Sequence, residues 1–406
     1  MPELHPYPRF SLAERDRRWK AVRAKMAEAG IDVIVCPNNT GHSTDFQANS
    51  RYLSHVGGGG DADIAVVFPL EGEVTAIATS AAPRWPTVQD WTGDVREARR
   101  NYGKVAVQRL KELGVENGVI GITGLGEVAG TRTPEGTVSL GFWRQIVEAF
   151  PKARIVDVTP ILTEVRYVKS QEEIDALKKS MDIIEEGIKA KIAAARPGAL
   201  DWEVWAAAHY AMMRNGSEIP VHCNWISGNN VVRTLTRPTM RRLERGDLII
   251  NELEANWMGY RSQAVQPVFV EEVDPVHAEL IKVQREVFEA GREKLRPGVT
   301  VKELSDAIEA AGKKAKPTNG PAANAVTKLT MHGRGAGDDG PIITGHARDP
   351  EQLATPLREN MVFIYKPSAQ TENGSHICTW GDTVVVTSSG GRRLGTRPHD
   401  FGVAKG

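Results

Sequence analysis

The segment NELEANWMGYRSQ carries two carboxylates, Glu252 and Glu254, two residues apart, and a neutral amide, Gln263, just past the Gly259-Tyr260 turn. Residues two apart in a strand share a face, so both acids point the same way and Gln263 can join them from across the turn. Downstream lie MHGRGAGDD, with His332, Arg334 and Asp339, then Lys366 before Pro367, and His376; Arg233 lies upstream. These types supply a carboxylate for general base or nucleophile, a histidine for proton transfer, and fixed cations to hold an anionic or carbonyl oxygen. The three cysteines, Cys36, Cys223 and Cys378, are too scattered for a disulfide framework or a CxxC metal site and read as thiols of a reducing compartment. His222, beside Cys223, has no second ligand at metal spacing.

The elements that must position these groups fall into two textures. An amphipathic stretch over about 12–29 precedes the short apolar run IDVIVCPN. The alternating pair DIAVVFPLEG and EVTAIATS, the helical YGKVAVQRLKELG, the strand GVIGITG and the helical SLGFWRQIVEAFP follow. This is the punctuation of an α/β domain over residues 1–166. Beyond Tyr167, Ile174, Leu177, Met181, Ile184 and Ile188 recur at helical spacing on one long helix. RPGALDWEVW from Arg196 and RPGVTVKELS from Arg296 then repeat a Pro-Gly turn leading into a helix, each with a helix before it. Self-similarity of this kind predicts a duplicated α+β domain with pseudo-two-fold symmetry over 167–406.

Composition narrows the function classes. Of 406 residues, 51 are Lys or Arg and 51 are Asp or Glu. Zero net charge removes the electrostatic case for nucleic acid or an acidic membrane as partner. No run approaches the ~18 apolar residues of a membrane span, and the N-terminal residues lack the apolar stretch of a signal peptide. A cytoplasmic enzyme or binding protein for a small molecule is the expectation.

The turn RYVKSQEEIDALKKS, the two RPG-helix units, GDLIINELEANWMGYRSQAVQPVFV, MHGRGAG and the late strands ENMVFIYKP and WGDTVVVT resemble the pita-bread family of creatinase, prolidase, aminopeptidase P and methionine aminopeptidase. NSRYLSHVGG resembles its creatinase-type N-terminal domain. The resemblance implies a site where the family's peptidases bind two divalent metals with two Asp, one His and two Glu. Carried over singly, the first Asp is matched by Glu252 and the second by Gln263, a poor ligand for a hard dication. The His is kept as His332. The two Glu are matched by Lys366 and Gly381, and a substrate-binding His by Asp339. The family's remaining catalytic His falls at Leu235 or Thr236, with Arg233 the nearest polar group.

An ammonium among two dications adds repulsion of about 4 kcal/mol per unit charge at 4 Å and an effective dielectric near 20. No cofactor is therefore expected, and the resemblance predicts a Glu252–Lys366 pair in the volume the metals would fill, with His332 and His376 at its rim. It further implies a homodimer in which the partner's N-terminal domain, through Asn49, Arg51, Tyr52 and the four glycines after Val56, covers the site. The leading expectation is a metal-independent, creatinase-like hydrolase of a C–N bond (amide, lactam, amidine or ureido) in a small polar substrate. Glu252, His332 and Lys366 are its catalytic residues, and Glu254, Gln263, Arg233, Arg334, Asp339, Tyr52 and His376 bind substrate. The alternatives are an Xaa-Pro aminopeptidase-like metallohydrolase or lyase with a single metal on Glu252, Glu254 and His332, and an inactive homologue that binds a ligand.

Overall fold

A computed structural model describes residues 8–38, 48–57, 63–79, 82–126, 135–219, 223–229, 236–344 and 349–405. Arg233, His222 and the glycines Gly58, Gly59 and Gly60 lie outside these residues. The chain divides into two compact units, Met1–Glu172 with Ala336–Asp339, and Glu173–Gly335 with Gly340–Gly406. The division falls just beyond Tyr167, and the short return segment is a feature that two consecutive domains do not anticipate.

In the first unit α1 (Leu12–Ala29) is opened by Ser11, whose hydroxyl accepts the Glu14 N–H, and closed by Gly30 at φ +64°. There follow β1 (Val33–Cys36), α2 (Ala48–Ser54), β2 (Ala65–Pro69), β3 (Thr75–Ala78), β4 (Asp94–Glu97), α3 (Tyr102–Glu112), β5 (Val119–Ile122), α4 (Leu140–Ala149), β6 (Arg154–Asp157) and α5 (Thr159–Tyr167). The strands form one sheet in the order β4-β3-β2-β1-β5-β6. Period-two alternation sends Ile34 and Cys36 to a core with Val22, Met26, Leu53 and Leu162 of α1, α2 and α5. Val33 and Val35 go to the opposite core with Ala106, Leu110, Phe142 and Ile146 of α3 and α4. Helices on both faces of a mostly buried sheet are the α/β arrangement expected.

The second unit contains α6 (Gln171–Ala194) from Glu173 onward, then α7 (Asp201–Arg214), β7 (Cys223–Gly228), β8 (Leu248–Trp257), β9 (Tyr260–Val265), β10 (Val268–Val270), α8 (Pro275–Lys294) and α9 (Val301–Ala315). After these come β11 (Val326–Lys328), β12 (Met331–Gly333), β13 (Ile342–Ile343), α10 (Pro350–Ala354), β14 (Val362–Tyr365), β15 (Ser368–Gln370), β16 (Ile377–Thr379), β17 (Asp382–Thr387), β18 (Gly390–Arg393) and β19 (Gly402–Ala404). The duplication is visible in the backbone. Gly198 and Gly298 sit at φ +85° and +86°, and donate to the Leu243 and Leu357 carbonyls at 2.8 and 2.9 Å. The reciprocal bonds, Leu243 to Ala199 and Leu357 to Val299, are both 2.8 Å. Each half thus opens its second helix from the same left-handed turn, which favours glycine.

Two sheets frame the site. One runs β19-β10-β8-β7 with β9 paired to β8, and the other β13-β12-β14-β17-β18. Met258 and Gly259, at φ +55° and +81°, make the tight β8–β9 turn. The sheets meet where Val265 and Gly381 exchange both backbone hydrogen bonds at 3.1 Å. Among the described residues no helix is long and apolar enough to cross a membrane.

Candidate active site

The register of the first sheet sets the acids in place. Glu254 pairs directly with Gln263 across β8 and β9, and Glu252 pairs with Asn224 across β7 and β8. The Gln263 backbone is fixed further, since its N–H donates to the Thr383 hydroxyl at 3.0 Å while that hydroxyl donates to its carbonyl at 2.9 Å. From the second sheet, His332 stands opposite Ile364 across β12 and β14. Lys366, two residues beyond Ile364, is then a diagonal neighbour of His332, and Arg334 follows His332 by the same step.

These groups close into one buried network. Lys366 Nζ donates to Glu252 Oε1 at 2.5 Å and to Gln263 Oε1 at 2.9 Å. Gln263 Nε2 donates to Glu254 Oε1 at 2.6 Å, and the same oxygen accepts from Arg334. Asn224 Nδ2 lies 3.5 Å from Glu252 Oε2, which is long for a hydrogen bond. Glu252 is 6% exposed and Lys366 3%. The Gln263 amide therefore lies head to tail between an anion and a cation, its NH2 on Glu254 and its oxygen on Lys366. Those two charges set its orientation. His332 is buried, with Nδ1 3.3 Å from the Gly333 carbonyl. Two buried ion pairs, Glu252–Lys366 and Glu254–Arg334, thus converge on one amide, and each charge recovers from its partner part of what it loses in hydration.

Three of the expected substrate-binding residues have partners outside this network. Asp339 belongs to the first unit, where it accepts from Arg166 Nε at 2.8 Å and lies 3.7 Å from Lys169 Nζ. Arg166 also donates to Asn49. Burial pushes the Asp339 carboxyl upward, but the Arg166 and Lys169 cations and its hydrogen bonds outweigh that and hold it below its ordinary value. Tyr52 is buried in the first unit, with the Arg18 guanidinium 4.5 Å from its ring. Asn49 and Arg51 are likewise buried in α2. Tyr52 and Asp339, expected to bind substrate, are thus buried beside cationic partners of the first unit. His376 sits in the β15–β16 turn with Asp274 and His277 around it. Thr383, which fixes the Gln263 backbone, and Asn224, the cross-strand neighbour of Glu252, were not anticipated; the strand register that brings them in has no signature in local spacing.

The chain matches the model of metallopeptidase family M24 over residues 175–388, and that of the creatinase/prolidase N-terminal domain over 18–168. It is 28% identical over 307 residues to creatinase of Bacillus sp. (strain B-0618), covering 73% of this chain and 70% of that protein. It is 26% identical over 275 residues to an Xaa-Pro dipeptidase of Pyrococcus furiosus, covering 64% and 72%. The structure superposes on an X-Pro aminopeptidase from Thermotoga maritima MSB8 with a TM-score of 0.76 at 22% identity, over 95% of this chain and 99% of that one. A prolidase from Thermococcus sibiricus gives 0.76 at 20% identity, over 98% and 100%. The two-unit architecture is therefore that of a creatinase-type N-terminal domain joined to a pita-bread domain, and the chain belongs to metallopeptidase family M24.

Proposed function

We propose that this family member is a hydrolase of a C–N bond in a small polar substrate, of amide, lactam, amidine or ureido type, that works without the metal pair of its relatives. The observation that carries this is the Lys366 ammonium, hydrogen-bonded to Glu252 and Gln263 at two of the five positions where the family's metals are held. The donor set does not suit two dications. It offers one carboxylate already bound to an ammonium, one imidazole, an amide, an amine and a glycine, whereas hard ions take several oxygens. Gly381 adds a steric argument, since a Cβ there would lie 2.5 Å from the Lys366 Cβ.

In this reading water attacks the carbonyl or amidine carbon while Glu252 takes its proton. Lys366 and Arg334 stabilise the charge that develops on the substrate oxygen or nitrogen. The C–N bond breaks as His332 passes a proton to the departing nitrogen. Glu254 and Gln263 hold Arg334 and Lys366 in register. The curated creatinase relative supports a non-peptide substrate. A homodimer, as the resemblance implies, and a cytoplasmic location complete the proposal.

The Xaa-Pro dipeptidase relatives favour a second reading, a metallopeptidase with one ion on Glu252, Glu254 and His332. Arg334 and Gln263 both occupy Glu254 Oε1, which counts against it. The test is metal content of the purified protein together with hydrolysis of creatine-like ureido compounds, lactams and Xaa-Pro dipeptides, with and without chelator. Turnover of a non-peptide substrate that resists chelator and disappears in Lys366→Met supports the proposal. Xaa-Pro cleavage abolished by chelator and restored by manganese or cobalt rejects it. Binding without turnover of any of them leaves the ligand-binding homologue.

A further inference from the structure

Outside the Glu252 network, three side chains from two separate stretches of the second unit converge at the start of α8. Asp274 caps that helix: its Oδ1 accepts the His277 backbone N–H at 3.0 Å and faces His277 Nδ1 at 3.1 Å. His376 turns Nε2 toward the same oxygen at 3.9 Å from the β15–β16 turn. One ligand atom from each residue lies within 4.8 Å of the other two. The imidazoles meet edge to face with centroids 5.1 Å apart.

We propose that Asp274, His277 and His376 bind one divalent transition-metal ion of the zinc class, at a site distinct from the positions that hold metals elsewhere in the family. Zinc takes imidazole nitrogen and carboxylate oxygen at about 2.0–2.2 Å, which in a tetrahedron separates neighbouring ligand atoms by roughly 3.3 Å. The 3.1 and 3.9 Å separations from Asp274 bracket that spacing and all three ligand atoms lie within 4.8 Å of one another, so the set closes on an ion as the His376 ring turns toward it. Two imidazoles with one carboxylate suit zinc, cobalt or nickel rather than calcium or magnesium, which take oxygen.

Capping accounts for Asp274 and His277 but not for His376. That ring is aimed: its Nδ1 lies 2.9 Å from the Ser375 hydroxyl, leaving Nε2 toward Asp274, the outer partnership that ligating histidines keep. Its backbone is pinned as well, since Thr371 N–H donates to the His376 carbonyl at 3.0 Å and His376 N–H to the Thr371 hydroxyl at 3.1 Å. The His277 side chain is 2% exposed, while those of His376 and Asp274 are 13% and 32% exposed, so an ion has a way in and a fourth position stays open to solvent. The positive end of α8 opposes a cation, and the Asp274 carboxylate offsets it. An ion here ties the α8 N-terminus to the β15–β16 hairpin, whose first strand begins two residues after Lys366.

The test uses the full chain stripped by chelator and then titrated with zinc, and with cobalt as its coloured surrogate. One equivalent is expected to bind, with two imidazoles in the zinc X-ray absorption spectrum and a tetrahedral-type visible band for cobalt. Asp274→Asn, which keeps the helix cap, and His376→Ala, in a surface turn, are each expected to weaken binding at least tenfold. Absence of binding, a spectrum with one imidazole, as an ion on Glu252, Glu254 and His332 would give, or unchanged affinity in both variants overturns the site. None of these readings depends on the enzyme's activity.

Discussion

A Cβ placed on Gly381 would stand 2.5 Å from the Cβ of Lys366 and 3.2 Å from the Tyr365 carbonyl oxygen. The closeness belongs to the backbone: Gly381 exchanges two hydrogen bonds with Val265 at 3.1 Å, and Arg397 donates to its carbonyl. A glutamate at 366 carries the same Cβ as lysine. Exchanging Lys366 for an acid therefore makes no room for a second acid at 381.

Gly381→Ala is accordingly expected to destabilise the protein by about 1–3 kcal/mol, the usual cost of forcing an extra carbon into a packed site. Urea unfolding of wild type and variant measures this. The triple variant Gln263→Asp, Lys366→Glu, Gly381→Glu is expected to be less stable still and to bind fewer than two manganese ions by calorimetry. A stable triple variant with two ions would show that side-chain chemistry alone separates this site from its relatives.

Lys366→Met removes the cation but leaves Glu252 buried, a loss of about 3–5 kcal/mol. Adding Glu252→Gln is expected to return part of that stability, because the stranded charge goes with it. A double-mutant cycle in urea reads the coupling. Additive losses would mean that the 2.5 Å pair is not formed in solution.

The pH dependence has its clearest expected source in Asp339. Its carboxyl is held below its ordinary value by Arg166 and Lys169 against the opposing effect of burial. A depressed folded-state value stabilises the protein fully above the unfolded carboxylate value near 3.9, and that stability is lost as pH falls through the folded value. Stability measured at pH 6 and at pH 3 is expected to fall less in Asp339→Asn than in wild type, from a lower starting point. An equal fall in both proteins would remove Asp339 from the account.

Gly198→Ala and Gly298→Ala test the duplication. Both positions have left-handed φ and no atom within 4 Å of a built Cβ, so the cost is conformational alone, about 1–2 kcal/mol each. The two denaturation midpoints are expected to shift alike. A large difference between them would separate the two turns energetically despite their shared geometry.

Much of this was legible in the residues, for physical reasons that also mark where legibility stops. Ser11 and Gly30 bound α1 because capping is local, and the RPG turns are visible because both copies need the same left-handed residue. The Glu252–Lys366 pair could be expected only through resemblance, since 114 residues separate its members. β8 is buried on both faces for most of its length, so alternation cannot tell which side of it holds Glu254. Asp339 is expected among the substrate groups from its place after the HGRG segment. Its partner Arg166 is 173 residues away, and no local pattern announces such a pairing. The approach of His376 to Asp274 is hidden in the same way.

The matched Pro-Gly turns describe two halves built alike, yet they meet at the site with opposite electrical character. Glu252 and Glu254 come from the earlier half, Arg334 and Lys366 from the later one, and each acid is joined to a base across the seam. Twin copies of either half would set like against like at that meeting point. The doubled domain has thereby become a lock and its own key, each half carrying the charge that the other lacks.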